Sequence, residues 1–142
     1  MRSKIVSLVA VTLILLPAAT AWADRAFTLR DIQGSYAFSF QGEIVGLGPV
    51  AATGMIKADG RGNITEGMRM MSVNGFSITE TFTCTLSVNP NGTGSAECPL
   101  DHPVPGFPPV ETFGFVLEEN VTSFRYIGTT PGATVLGSGK KQ

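Results

Sequence analysis

Apolar and polar side chains alternate along most of this chain, and Gly, Pro, Asn or Asp breaks the alternation every ten residues or so. A period of two is the pattern of a strand with one buried face. Eight stretches follow it: 34–42, 49–58, 64–73, 76–88, 94–100, 110–117, 122–128 and 133–139. No stretch of useful length carries apolar residues at the 3.6-residue spacing of a helix, and 27–32 is predicted to form one short turn leading into the first strand. Residues 101–109 hold four prolines, which excludes both a helix and a central strand and makes this the one long irregular connection.

The most informative stretch is 82–100. Asn89-Pro90-Asn91-Gly92 has the residue order of a type I turn, with Gly92 free to take the left-handed position of a bulge. Counting outward from that turn sets Val88 opposite Gly94, Leu86 opposite Ala96 and Cys84 opposite Cys98. The only two cysteines therefore meet on a closely spaced pair, and a Cys84–Cys98 disulfide is expected. The inward face of this hairpin reads Phe82, Cys84, Leu86, Val88, then Ala96, Cys98, Leu100.

Glu80 falls on that same inward face. If Asn74-Gly75 forms a two-residue type I′ loop, Arg69 faces Glu80, and Met71 is buried. If the loop has three residues, Met68 faces Glu80, and Met68 and Met70 are buried instead. The first register is preferred, because a buried carboxylate needs a partner. The alternative for Glu80 is a position near the end of the sheet, in contact with water.

Eight strands with mostly short connections predict an all-β fold, an eight-stranded antiparallel up-and-down β-barrel. Closure removes the exposed edges of an open meander. A β-sandwich is the alternative. The interior has to accommodate Tyr36, Phe38, Phe40, Phe82, Phe113, Phe115, Phe124 and Tyr126. So many rings suggest a filled core or a narrow pocket at one end.

The segment 29–36, a short turn feeding Gly34-x-Tyr36 on the first strand, resembles the opening of lipocalin-like (calycin) barrels. A wider pattern is similar to small secreted bacterial proteins without assigned function. It comprises Gly34-x-Tyr36-x-Phe38, Gly48-Pro49, Asp59-Gly60-x-Gly62-Asn63, Asn74-Gly75, Val88-Asn89-Pro90 and the ending from Thr130-Pro131-Gly132 to Lys141-Gln142. The resemblance implies a barrel; its elements are mostly turns and imply no chemistry.

Arg2 and Lys4 precede an apolar run ending at Pro17, and Ala21-Trp22-Ala23 offers small residues where a signal peptidase reads them. Residues 1–23 are expected to be a signal peptide and 24–142 a single barrel domain, secreted or periplasmic. The run is too short to span a bilayer comfortably, so no stable membrane insertion is expected after cleavage. Two cysteines fit the oxidising compartment this implies. Removing Arg2 and Lys4 lowers the basic side chains from 10 to 8 against 11 acidic ones, a net charge of −3, which offers nothing to a nucleic acid.

Groups that could carry chemistry are few. His102 is the only histidine and lies in the proline-rich loop, so it reads as a solvated residue rather than a triad member. No metal site and no cofactor are expected, since a zinc site wants three or four His, Cys or carboxylate ligands. Asp59-Gly60-Arg61-Gly62-Asn63 reads as a turn rather than a calcium loop. Asn120-Val121-Thr122 has the letters of a glycosylation sequon and also reads as a turn.

Two function classes remain. One is a binding module for a small apolar molecule, with a pocket at one barrel mouth edged by Arg69, Glu80 and Tyr126. The other is a structural or interaction protein of the cell envelope with a filled barrel and no ligand. No catalytic constellation is found, and an isomerase of the allene oxide cyclase kind rests on fold analogy alone.

Overall fold

The computed structural model describes residues 25–103 and 105–142; the expected signal peptide lies outside the described residues. A single turn of 3₁₀ helix, η1 (Leu29–Asp31), leads into eight strands. These are β1 (Gln33–Ile44), β2 (Gly48–Asp59), β3 (Asn63–Val73), β4 (Phe76–Val88), β5 (Thr93–Pro99), β6 (Val110–Leu117), β7 (Ser123–Gly128) and β8 (Ala133–Lys141). Each pairs with the next, and β8 returns to β1, closing an antiparallel up-and-down barrel. The sandwich alternative is excluded by that closure.

Both hairpin registers argued from turn chemistry are the ones formed. Asn74 and Gly75 have φ of 46° and 88°, as a type I′ turn requires, and Val73 pairs with Phe76. Arg69 then faces Glu80, Met71 is buried, and Met68 and Met70 point outward. At the other hairpin Gly92 takes φ 85°, Asn89 N–H donates to Thr93 O, and Val88 pairs with Gly94. Cys84 and Cys98 are disulfide-bonded with Cα atoms 4.1 Å apart.

Along β1 the exposed and buried positions alternate strictly through Tyr36, Phe38 and Phe40. The rings inside need room, and glycines on neighbouring strands supply it. Gly67 lies across from Phe82, Gly94 across from Phe115, and Gly137 across from Tyr126. A Cβ at any of these glycines would come within 2.5 Å of the facing ring. The rings thus lie flat over bare backbone, which lets sharply coiled strands carry large side chains inward. The outward face carries many Ser and Thr side chains, with Met55, Met68, Met70, Val116, Ile127 and Leu136 exposed among them.

At the barrel end where the chain enters, Phe27 N–H donates to Pro90 O, and the Phe27 ring covers Gly92. Leu29 of η1 lies over Gly62. Asp31 fixes this turn: its carboxylate accepts from the Thr28 backbone N–H at 2.7 Å and from Arg25. η1 therefore covers part of one barrel end.

Candidate functional site

Strand β3 places Arg69 inward and β4 places Glu80 directly opposite it. A third charged residue joins them from across the barrel. Glu111, near the start of β6, occupies the inward position two residues before Phe113. The Arg69 guanidinium donates from Nε and Nη2 to Glu80 Oε2 at 2.8 and 2.5 Å. It donates from Nη1 to Glu111 Oε2 at 2.6 Å and from Nη2 to Glu111 Oε1 at 3.0 Å. Its carbon lies 5.7 Å from the ring centres of both Phe40 and Phe82, so it is also held between two aromatic faces.

Arg69 and Glu80 are almost wholly buried, with 3% and 2% of their side chains exposed, and Glu111 is at 14%. Burial works against the Arg69 charge, but hydrogen bonds and attraction from Glu111, then from Glu80, raise its pKa above the ordinary arginine value. Two carboxylates on one guanidinium leave the group one negative charge over. Glu80 Oε1 is buried without a hydrogen-bond partner among the described residues.

Below this layer, toward the η1 end, lies a cavity of about 90 Å³. Its walls are almost entirely apolar, including Phe38, Phe115, Phe124 and the Cys84–Cys98 disulfide, and Arg69 and Glu111 form its polar ceiling. It extends to the barrel end at Val121 in the β6–β7 turn and Ser123 at the start of β7. A smaller space of about 20 Å³ lies on the opposite side of the layer and shares Phe40, Arg69, Glu111 and Phe113 with the first. The ion layer is thus a partition across the barrel.

Tyr126 is the hub of the aromatic wall, with ring centres of Phe38, Phe40, Phe113 and Phe124 at 5.7–6.4 Å, mostly edge to face. Its hydroxyl donates to Ser39 O at 3.3 Å. Burial pushes its pKa well above the usual tyrosine range, with Arg69 opposing and Glu111 adding to the rise.

The three residues expected at the pocket are therefore brought together, with two differences in position. Arg69 and Tyr126 line the cavity, whereas Glu80 lies behind Arg69 and does not reach its surface. The layer also sits within the barrel rather than at its mouth. Glu111 was missed. The alternation read through Phe113, Phe115 and Leu117 extends to it by a single step backward, and that was the available signal. His102 is exposed in the loop, and Asp59 closes its turn by accepting from the N–H groups of Arg61 and Asn63. Among the described residues no group of His, Cys, Asp and Glu could hold a metal ion.

No family model matches the chain, and neither the curated proteins nor the solved structures include one that matches it.

Proposed function

We propose that this chain is a secreted or periplasmic binding module, lipocalin-like in architecture, that holds one small, mainly apolar molecule inside the barrel. The observation that carries this reading is the apolar cavity under a buried, charged ceiling. A core serving stability alone gains little from such a group, because well-packed apolar residues of similar volume are often as stabilising as a buried ion network. A polar group converging on an apolar cavity is instead the usual make-up of a small-molecule site.

A second observation supports the mouth at the β6–β7 turn. Val121 lines the cavity and has φ 57°, a left-handed conformation that a β-branched residue adopts only under strain. Strain of this kind clusters at binding sites.

The cavity limits what can enter. It is smaller than the roughly 150 Å³ cavity that accepts benzene, and far below the roughly 300–1,000 Å³ of pockets for drug-sized ligands. The molecule is accordingly one ring or a short branched chain, projecting toward Val121. The same small volume favours the second reading, a filled barrel of the cell envelope that acts through its outer surface.

Ligand-observed NMR with phenol and benzyl alcohol separates the two. Ala96 points into the cavity, and Ala96→Phe fills it. Binding to the native protein that disappears in a folded Ala96→Phe variant supports the binding reading. No binding to the native protein, or equal binding to both, supports the filled barrel.

A further inference from the structure

The charge arithmetic of the partition says which ligands the cavity should select. A buried arginine on an apolar cavity would ordinarily suggest an acid as the partner, because guanidinium and carboxylate match in charge and geometry. Here that role is already taken. Four N–H to O bonds tie Arg69 to two carboxylates of its own chain. An entering carboxylate would find one N–H direction of Nη1 still open and two carboxylates beside it, with the layer already one negative charge over.

Glu111 is the group left open. Each of its oxygens accepts one bond from Arg69, and each keeps acceptor capacity. It lines the cavity, which Glu80 does not. Its surroundings are aromatic and of low dielectric, where a charge–charge contact is stronger than in water.

We propose that the cavity selects a small amine, a protonated nitrogen on an apolar body of about one ring, with the ammonium donating to the Glu111 carboxylate and the body lying among Phe115, Phe124 and Tyr126. The bound cation brings the layer of one guanidinium and two carboxylates to neutrality. The aromatic faces around it add cation–π attraction. A neutral alcohol can make the same hydrogen bond without the charge and binds more weakly; a carboxylate of the same shape is rejected. This inference rests on the reading of the cavity as a binding site and adds the chemical class.

Benzylamine, benzyl alcohol and benzoate share a body and differ in charge. Their affinities for the native protein at neutral pH should fall in that order, with benzylamine at least about tenfold tighter than the alcohol and no measurable benzoate binding. In Glu111→Gln the amine should lose its advantage and bind no more tightly than the alcohol. Benzoate binding as well as benzylamine, or an amine no tighter than the alcohol, overturns the amine inference and leaves the cavity reading standing. If none of the three binds, the cavity reading falls and the inference falls with it. The ranking on the native protein decides the matter even if Glu111→Gln does not fold.

Discussion

Arg69 and Glu80 face each other across the β3–β4 hairpin because Asn74 and Gly75 close it in two residues. One residue more in that turn would bring Met68 inward and turn Arg69 out. A buried ion pair is thus set by a turn five residues away from it on either side of the hairpin.

Glu111 changes how this pair should respond to mutation. Glu80→Gln leaves Arg69 paired with Glu111 and removes the surplus negative charge, so its cost should be small, within about 1 kcal/mol. Arg69→Met leaves two buried carboxylates without a cation and should cost the roughly 3–5 kcal/mol typical of a broken buried pair. Urea unfolding of both variants at pH 7 checks the asymmetry; a Glu80→Gln variant as damaged as Arg69→Met would refute it.

The disulfide spans 14 positions in sequence, and for a loop of about that size the chain-entropy estimate is near 3 kcal/mol. The Asn89–Thr93 turn already holds the two arms together in the folded protein and biases the unfolded chain the same way. The measured effect should therefore be smaller than that estimate. Replacing both Cys84 and Cys98 with Ala should give a protein that folds and melts lower, by calorimetry. Two free thiols in native, unreduced protein would contradict the bond itself.

Val121 should be a place where a smaller side chain stabilises. Its φ of 57° costs a β-branched residue roughly 1–2 kcal/mol, and glycine removes that cost. Val121→Gly is expected to raise the melting temperature and, by opening the mouth, to speed ligand release. A lower melting temperature would show that the Val121 side chain contributes more by packing than its backbone conformation costs.

Much of this fold is legible in the sequence because it is built from local rules. Alternation marks β1 to β8, and two turns with positive-φ residues, at Asn74-Gly75 and Gly92, fix register without reference to the rest of the chain. The expected strand 76–88 agrees with β4 and 110–117 with β6. The contact of Arg69 with Glu111 is of another kind: it spans 42 positions and depends on barrel closure, which no single hairpin encodes. The bulge in β3 between Ile64 and Gly67 was likewise not anticipated. It inserts a residue that lets Gly67 face the Phe82 ring, a need visible only once the ring is in place.

The two tyrosines of the chain give a pH signature. Burial raises the pKa of Tyr126 strongly; it also raises that of Tyr36, where the Gln33 backbone opposes and Asp31 adds. The folded state thus holds these phenolic protons more tightly than the unfolded chain does. Their contribution to stability is complete below pH of about 10, the ordinary tyrosine value, and declines as pH rises above it. Tyrosinate absorbance should lag behind that of free tyrosine and then rise together with unfolding seen by circular dichroism. Smooth titration near pH 10 in folded protein would mean that both hydroxyls are reached by solvent.

The binding reading meets its most direct test in native mass spectrometry of protein exported by the organism that makes it, purified without detergent or added ligand. The account predicts a second, heavier species, one small molecule above the bare barrel, that dissociates on collisional activation and is lost in Ala96→Phe. A single species at the mass of the disulfide-bonded chain alone, from material never exposed to denaturant, would contradict it.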